Sequence, residues 1–238
     1  MVLDVVFPPI CVACRKYLRA DEKESPLCAD CEAKIQINNG FYCPVCKRRL
    51  ATPLKTCHLE IKFILAAATD YENPVTRELI QTLKYKNIRN SIKPIAKIIT
   101  SYLDKLDFVR SCSKDVLIVP VPLHKKRERL RGFNQSQLIA EIIKEYLITK
   151  DPQTSVKQEN YNLIRKKPTK TQAEIKNFDD RAENVINCFE TKNKEIFAGK
   201  NIILVDDVFT SGATMNEAAR ILKNAGSKKI IGFVVAKA

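Results

Sequence analysis

Strand-length apolar runs alternate with helix-spaced apolar positions over most of the chain after residue 60. Four runs are short and rich in β-branched or other apolar residues: 63–69, 116–121, 201–205 and 229–236. Four longer segments place apolar side chains at intervals of three and four residues: 72–84, 92–106, 135–147 and 214–225. This alternation predicts an α/β fold with a doubly wound parallel sheet.

Local signals mark the ends of some of these elements. Asn134, with Gln137 three positions later, predicts the start of the 135–147 helix, and Gly226 predicts the end of the last helix. Residues 148–172 are polar and basic and include two prolines, so they predict a linker or mobile loop. We find no internal repeat in the sequence.

The first 60 residues lack this alternation and instead concentrate the cysteines. Seven of the nine cysteines lie in the first 57 residues, and six of them form three Cys-x-x-Cys pairs. Two intervening residues let a tight turn direct both thiolates at one ion, and two such turns complete a tetrahedral four-sulfur zinc site. The first two pairs have zinc-ribbon spacing and predict a structural zinc site: Cys11, Cys14, Cys28 and Cys31.

The third pair, Cys43 and Cys46, has no fourth pair to match it. Only Cys57 and the adjacent His58 are near in sequence, and neighbouring residues converge on one ion less easily than a Cys-x-x-Cys pair does. Three interpretations stay open: a second zinc site completed by Cys57 and His58, an incomplete site, or a third pair that serves the first site.

The composition is that of a soluble globular protein. The chain has 238 residues, of which 45% are hydrophobic and 29% charged, and these values exclude disordered and collagen-like classes. No apolar run is long enough to cross a bilayer, and the N-terminus lacks the basic region of a signal peptide. We therefore expect a cytoplasmic protein without membrane insertion, in which cysteines bind metal rather than form disulfides. Residues 1–60 are expected to form a zinc-ribbon domain and residues 61–238 the α/β domain.

Positive charge is concentrated in one quarter of the chain. Residues 111–170 carry 13 basic and 6 acidic side chains, which is half of the formal net charge of +14. Such an excess favours a polyanionic partner, either a polyphosphate ligand or a nucleic acid. A solubilising surface has the same composition, so that interpretation also stays open.

The clearest chemical motif follows the 201–205 strand. Asp206 and Asp207 are expected just beyond its carboxyl end, where open α/β sheets bind ligands, and paired carboxylates can accept hydrogen bonds from the vicinal diol of ribose. Thr214 and Glu217 have the spacing of a capping box at the start of the next helix, whose N-terminus suits a phosphate monoester. The turn between strand and helix is small and rich in hydroxyl groups: Thr210, Ser211, Gly212, Ala213 and Thr214. The segment therefore predicts a ribose 5-phosphate site.

Residues 206–214 resemble the phosphoribosyl pyrophosphate signature of type I phosphoribosyltransferases. With the segments Val119-Pro120-Val121-Pro122-Leu123 and Arg131-Gly132-Phe133-Asn134-Gln135 and the cysteine pairs, the chain resembles the ComF family over nearly its whole length. Five scattered residues add to the match: Arg127, Arg165, Gln172, Arg181 and Asn184. One departure is Cys57-His58-Leu59-Glu60, which stands where the family commonly has a fourth Cys-x-x-Cys pair.

The resemblance implies a type I phosphoribosyltransferase sheet that binds phosphoribosyl pyrophosphate with Mg²⁺, beside a ribbon that holds Zn²⁺. It also implies a role in natural transformation, with single-stranded DNA and a competence helicase as partners. Another member of the family is linked to gluconate metabolism, so a metabolic role is a second expectation.

The resemblance also implies roles for individual residues. Asp206 and Asp207 would be the catalytic acids and hold the ribose, and residues 210–214 would hold the 5-phosphate. The pyrophosphate side would comprise Pro122, Leu123, Arg127, Arg131 and Arg165. Residues 161–175, which include Lys166 and Lys167, occupy the place of the flexible catalytic loop.

The other polar residues that follow Pro122 are expected to have less specific roles. We expect Lys125, Lys126 and Arg129 to be solvated or to face DNA. For His124, two roles stay open: a general base, or a histidine in a surface loop.

Two classes of function remain open. An enzyme would transfer the phosphoribosyl group to an amine or a base, but the sequence shows no motif specific for an acceptor. An adaptor would keep the ligand site for binding or sensing and would contact single-stranded DNA and a helicase. Its DNA binding would depend on salt, although an aromatic content of 7% without tryptophan provides few stacking platforms.

Overall fold

The structure, a computed structural model, describes residues 9–22, 24–51, 57–58, 61–85, 91–111, 115–167 and 185–238. Its strands are β1 (Phe41–Tyr42), β2 (Ile64–Asp70), β3 (Asp115–Pro120), β4 (Ser155–Gln158), β5 (Leu163–Arg165), β6 (Phe189–Thr191), β7 (Asn201–Phe209) and β8 (Lys229–Lys237). Its α-helices are α1 (Ala29–Glu32), α2 (Pro74–Tyr85), α3 (Ile92–Leu106), α4 (Phe108–Ser111), α5 (Lys125–Arg131), α6 (Gln135–Lys150) and α7 (Ala213–Asn224). A short 3₁₀ turn covers Ala20–Glu22.

Six strands form one sheet in the order β1-β2-β8-β7-β3-β4, in which only β1 is antiparallel to its neighbour. The strands β2, β3, β7 and β8 are apolar on both faces because helices cover both sides of a parallel sheet. Residues of α2, α3 and α6 pack on one face, and residues of α7 pack on the other. The predicted α/β fold with a mostly parallel sheet is confirmed.

The order of the strands places a ligand crevice between β3 and β7. From β3 the chain passes through α6 to β4 at one edge, whereas from β7 it passes through α7 to β8 in the opposite direction. These two crossovers lie on opposite faces of the sheet. The carboxyl ends of β3 and β7 therefore flank the topological switch point, where open α/β sheets bind ligands.

The predicted strands and helices are all present, but β7 is longer than predicted. The apolar run ends at Val205, whereas pairing with β8 continues to Phe209, so that Asp206 lies opposite Val234. The prediction that Asp206 and Asp207 follow the strand is therefore wrong. Both acids lie within the second half of the strand because backbone pairing, not side-chain polarity, determines where the strand ends.

The prediction that residues 148–172 form a linker or loop is also wrong for the described part. Helix α6 continues to Lys150, β4 joins the edge of the sheet beside β3, and β5 pairs with β6 in a separate hairpin-like ladder. β4 is a short edge strand in which only alternate residues are half-buried, so its sequence has no apolar run to detect. Residues 168–172 lie outside the described residues.

The cysteine-rich segment extends the sheet and shares its core. Phe41 and Tyr42 of β1 pair with Ala66 and Leu65 of β2, and Cys11, Cys31 and Phe41 belong to the same buried cluster as α2 and α3. Exposed ion pairs also connect this segment to α2 and α3: Arg15 with Glu78, Lys93 with Glu24, and Lys97 with Glu32. The predicted boundary at residue 60 therefore separates two units that are packed together.

A buried hydroxyl group joins α3, β1 and β2. Tyr102 of α3 is fully buried, and its Oη donates to the Gly40 carbonyl at 2.7 Å and accepts from the Ala67 N–H at 3.0 Å. β1 has only two residues, and Gly40 immediately precedes it. The Tyr102 hydroxyl therefore bridges Gly40 and Ala67 at the point where a longer β1 would pair with β2 directly. One side chain thus satisfies two buried backbone groups on different strands.

Replacing this hydroxyl should destabilise the protein. Tyr102→Phe leaves the Gly40 carbonyl and the Ala67 N–H buried without their partner, which we expect to lower the free energy of unfolding by about 1–3 kcal/mol. Denaturant unfolding measures the change. The exposed Tyr161 provides the matched control, and Tyr161→Phe should change stability by less than about 0.5 kcal/mol. Equal stability of both variants would show that water replaces the hydroxyl without loss.

Candidate functional site

The candidate ligand site is centred on the two carboxylates at the end of β7. Asp206 Oδ1 accepts hydrogen bonds from Ser136 Oγ at 3.1 Å and from the Asp207 N–H at 2.9 Å. Burial and then the negative charge of Asp207 raise the pKa of Asp206 to about 7, against the opposing charge of Lys84. The two acids therefore do not behave as independent surface carboxylates.

The second carboxylate is held by a lysine that the sequence analysis missed. Lys84 Nζ lies 2.8 Å from Asp207 Oδ2, and the side chains of Lys84 and Asp207 are only 20% and 7% exposed. Burial lowers the pKa of Lys84, but the charge and hydrogen bond of Asp207, together with the charges of Asp206 and Tyr71, outweigh it, so the pKa is raised. A sequence signal did exist, since Lys84 lies four residues after the buried Ile80 and continues the apolar stripe of α2.

The segment from Arg131 to Ser136 connects the loop after β3 to the acids. Gly132, with a φ of 80°, ends α5 in the left-handed conformation. Asn134 begins α6 as predicted: its side-chain oxygen accepts from the Ser136 N–H, and its Nδ2 donates to the Val121 carbonyl at 3.1 Å. Ser136, two residues after Asn134, donates to Asp206. The segment therefore links the loop after β3, through Val121, to the acid on β7.

The turn after β7 has a different cap from the one predicted. α7 begins at Ala213 with Gly212 as its N-cap, in the left-handed conformation with a φ of 77°. A Cβ on Gly212 would lie 2.5 Å from the Phe209 ring, so the close approach requires glycine. Ser211 Oγ accepts from the Ala213 N–H at 3.4 Å, and Thr210 and Thr214 lie on either side of this cap.

The predicted capping box of Thr214 and Glu217 is wrong because the N-cap is Gly212, two residues earlier, and Thr214 lies within the first turn of the helix. Glu217 instead accepts from the Asn187 N–H at 2.8 Å and pairs with Arg220 at 2.7 Å. The hydrogen bonds from Arg220 hold the pKa of Glu217 below its usual range. Asn187 has a φ of 53°, so this contact fixes a left-handed residue just before β6 against α7.

A partly buried arginine lies within electrostatic range of Asp206. Arg165, at the end of β5, lies 5.3 Å from the centre of the Phe189 ring, and burial lowers the pKa of its guanidinium. The charges of Arg127 and Asp206 both act on Arg165, the first against and the second in favour of its ionised form. The structure therefore brings Arg165 close to both Asp206 and Arg127, which belong to different elements.

The loop after β3 and helix α5 divide the remaining predicted residues into two groups. Pro122, Leu123, Arg127 and Arg131 are partly buried, and Arg131 Nη1 donates to Gln135 Oε1 at 2.6 Å. The exposed group comprises Lys125, Lys126 and Arg129. Lys166, expected in the flexible loop, pairs with Glu190 of β6 at 2.9 Å, and Lys167 is exposed.

His124 has a structural role at the start of α5. It is the N-cap of α5, and its Nδ1 accepts a hydrogen bond from the Lys126 N–H at 3.3 Å. Burial and the nearby charges of Lys126, Arg165 and Arg127 lower its pKa, so the neutral ring is favoured. Gln172, Arg181 and Asn184 lie outside the described residues.

The first cysteine cluster has the geometry of a four-sulfur metal site. The thiols of Cys11, Cys14, Cys28 and Cys31 all lie within 4.8 Å of one another, and the Sγ atoms of Cys14 and Cys28 are 3.7 Å apart. A tetrahedral zinc with Zn–S bonds of about 2.3 Å separates its sulfurs by about 3.8 Å. Although burial raises it, backbone hydrogen bonds from Cys14 and Cys28 lower the pKa of the Cys11 thiol to about 6, which favours the ligating thiolate.

The second cluster is also assembled. Cys43, Cys46, Cys57 and His58 place their ligand atoms within 4.8 Å of one another. Cys43 Sγ lies 3.4 Å from His58 Nδ1, and the Sγ atoms of Cys46 and Cys57 are 3.5 Å apart, close to the spacing around tetrahedral zinc. Adjacent Cys57 and His58 do converge, with Sγ and Nδ1 3.3 Å apart. Of the three interpretations of the third pair, the structure supports a second site with its own four ligands.

The two clusters are built on the same backbone motif. In the first, the Cys11 N–H donates to the Lys16 carbonyl and Arg15 has a φ of 65°; in the second, the Cys43 N–H donates to the Arg48 carbonyl and Lys47 has a φ of 58°. The finding that the chain has no internal repeat therefore needs correction. The repeat is structural, and only the Cys-x-x-Cys pairs preserve it in the sequence.

Two family models match the chain. Residues 148–238 match a phosphoribosyl transferase domain, and residues 2–59 match a double zinc ribbon domain. The second match agrees with the two clusters and the repeated backbone motif. Among the described residues, no helix is long and apolar enough to span a membrane.

Curated proteins from several bacteria are similar over most of the chain. The chain is 31% identical to "Competence protein ComFC" of Bacillus subtilis over 216 residues, which cover 88% of this chain and 81% of that protein. It is 29% identical to "Competence protein F" of Haemophilus influenzae over 236 residues, which cover 96% of each. It is 25% identical to "DNA utilization protein YhgH" of Escherichia coli K12 over 225 residues, which cover 86% of this chain and 93% of that protein.

The raised pKa of Asp206 should make stability depend on pH. A carboxylate whose pKa is raised by folding opposes folding progressively as the pH rises from the unfolded pKa, near 4, to the folded pKa, and by a constant amount above it. The shift from 3.8 to about 7 corresponds to roughly 4 kcal/mol at most, and Asp206 is only partly buried, so we expect Asp206→Asn to stabilise the protein by about 2 kcal/mol at pH 8. The gain should shrink as the pH falls from 7 towards 4.

Denaturant unfolding of both proteins across pH 4–8 measures this effect. Asp115→Asn is the matched control, because Asp115 is an exposed acid at the opposite end of the sheet. A stability gain for Asp206→Asn that is the same at every pH would contradict the raised pKa.

Proposed function

The chain belongs to the ComF family, and we propose that it binds phosphoribosyl pyrophosphate with Mg²⁺ and acts in DNA uptake during natural transformation. In this role it would act in the cytoplasm and associate with single-stranded DNA and a competence helicase. The observation that carries the proposal is the pair of acids, Asp206 and Asp207, beside the switch point between β3 and β7, with the partly buried Arg165 within electrostatic range of Asp206.

The acids and the turn account for the ribose 5-phosphate half of the ligand. Carboxylates at the end of β7 can accept hydrogen bonds from the 2′ and 3′ hydroxyl groups, and Asp206 and Asp207 are held in place by Ser136 and Lys84. The 5-phosphate would lie at the start of α7, where Gly212 allows the backbone to approach closely.

The arginines account for the pyrophosphate half. Arg127, Arg131 and Arg165 are partly buried, so their charges are less screened than those of exposed residues and suit a diphosphate. Mg²⁺ prefers oxygen ligands and, when bound, would neutralise the diphosphate charge. The carboxylates of Asp206 and Asp207 can support its water shell from the ribose side.

Zinc is proposed as a structural ion in both clusters. Each cluster supplies four ligand atoms and therefore leaves no open position for substrate. Since Cys11, Cys31 and Cys43 belong to the main buried cluster, the ions would hold the ribbon against α2 and α3.

Relatives support the biological part of the proposal. Two of the similar proteins are named for competence and one for DNA utilization. On this chain, Lys125, Lys126 and Arg129 form an exposed basic surface on α5 that faces away from the partly buried arginines of the ligand site. This surface is where we place the contact with single-stranded DNA.

Phosphoribosyl transfer to an unidentified base or amine is the second candidate function. It is favoured by Arg165, which the β5–β6 ladder places within electrostatic range of Asp206. In such a reaction the bond between the anomeric carbon and pyrophosphate breaks while a bond to the acceptor nitrogen forms. Arg127 and Arg165 would stabilise the leaving pyrophosphate, and the acids would stabilise positive charge on the ribose ring. A pyrophosphate-release screen across bases and amines tests this candidate.

Removing the acids should weaken ligand binding. The double variant Asp206→Asn with Asp207→Asn keeps the shape of the site but loses charge-assisted hydrogen bonds of roughly 1.5–3 kcal/mol each, so its affinity should fall at least tenfold. Calorimetric titration with phosphoribosyl pyrophosphate and Mg²⁺ measures the loss. Asp115→Asn should bind like the parent, and unchanged affinity in the double variant would show that the acids are only structural.

Metal analysis should find two zinc ions per chain. Cys57→Ser removes one ligand of the second cluster, so the purified variant should retain one ion. Cys188→Ala changes a buried cysteine outside both clusters and should retain two. A parent protein without zinc would disprove both sites, and a Cys57→Ser variant that keeps two ions would show that Cys57 is not needed.

Neutralising the exposed basic surface should weaken DNA binding. Changing Lys125, Lys126 and Arg129 together to Gln should lower affinity about equally for all single-stranded sequences and flatten the slope against log salt by about 2. Filter binding at several salt concentrations measures both quantities. The control changes three exposed lysines elsewhere to Gln: Lys192, Lys194 and Lys228. Equal effects of the two triple variants would mean that only net charge matters.

A further inference from the structure

The ammonium group of Lys84 is the one cation of the described chain that pairs with an acid of the ligand site. It reaches Asp207 Oδ2 at 2.8 Å from the end of α2, an element that supplies no other residue to the proposed site. The charges of Asp206 and Tyr71 also act on it. Neither the sequence motifs nor the family match to residues 148–238 covers this position.

Asp207 is 7% exposed and directly follows Asp206 in the chain. Two carboxylates this close repel each other, and a neighbouring cation offsets that repulsion. Ser136 and the Asp207 N–H hold Asp206, but they leave the charge of Asp207 uncompensated. The ion pair with Lys84 compensates that charge and fixes the direction of the carboxylate.

We infer that Lys84 is a positioning residue for ribose recognition: it pairs with Asp207 and holds its carboxylate so that the acid pair can accept the vicinal diol. The inference rests on the proposed binding of phosphoribosyl pyrophosphate. Lys84 acts through Asp207, whereas the pyrophosphate half of the ligand is left to Arg127, Arg131 and Arg165 on α5 and β5. Loss of Lys84 should therefore affect recognition of the diol and spare recognition of pyrophosphate.

The test compares ribose 5-phosphate, 2-deoxyribose 5-phosphate and pyrophosphate by calorimetric titration with Mg²⁺. The parent should bind ribose 5-phosphate more tightly than the deoxy compound. In Lys84→Met this preference should fall at least tenfold, while affinity for pyrophosphate should stay within twofold. Lys84→Arg keeps the charge and should restore most of the preference. Lys200→Met breaks the exposed ion pair with Asp115 at the other end of the sheet, and it should bind like the parent.

A double-mutant cycle separates this role from a general effect on folding. Asp207→Asn removes the partner of Lys84, so adding Lys84→Met to it should change the preference by less than twofold. This double variant buries no unpaired charge, so the comparison holds even where Lys84→Met alone does not fold.

The possible outcomes are distinct. A parent that binds none of the three compounds, nor phosphoribosyl pyrophosphate itself, overturns the proposed function and the inference with it. A parent that binds them while Lys84→Met keeps the full preference for the diol overturns the inference alone. An equal effect of Lys84→Met with and without Asp207→Asn also overturns it, because Lys84 would then not act through Asp207.

Discussion

Two adjacent carboxylates near the carboxyl end of β7 are the constraint on which the site depends. Their charges repel each other, and burial of Asp207 reduces the screening of that repulsion by water. Groups from separate elements stabilise the two acids: Lys84 from α2 pairs with Asp207, and Ser136 from α6 donates to Asp206. The crossover from β2 to β3 through α2, and the motif between α5 and α6, thus position the acids as much as β7 does.

A second constraint joins the ribbon to the sheet. β1 is only two residues long, and its pairing to β2 is continued by the hydroxyl of Tyr102 rather than by further strand. The two cysteine clusters contribute buried cysteines to the same hydrophobic core, so the ribbon and the sheet are packed together.

The distribution of charge matches a protein with two kinds of anionic contact. Arg127, Arg131 and Arg165 are partly buried, so their charges are less screened by water than those of the exposed Lys125, Lys126 and Arg129 of α5. An adaptor that senses a phosphoribosyl ligand and an enzyme that transfers its ribose would use the same arginines and acids, and would differ in whether an acceptor reaches the anomeric carbon.

Local chemistry in the sequence was enough to predict the four apolar strands of the sheet (β2, β3, β7 and β8) and the helices between them, the four thiols of the first cluster, the glycine turn at Gly212 and the cap at Asn134. Each of these depends on residues that are neighbours in the chain, so spacing and residue type determine them. Tertiary structure alone decided the pairing of Lys84 with Asp207, the hydrogen bond from Ser136 to Asp206 and the role of Tyr102. It also decided that β7 continues through the acids and that Cys57 and His58 converge on Cys43. The physical reason is the same in each case: these contacts join residues from separate elements, and their distances are set by how the elements pack against each other rather than by any pattern along the chain.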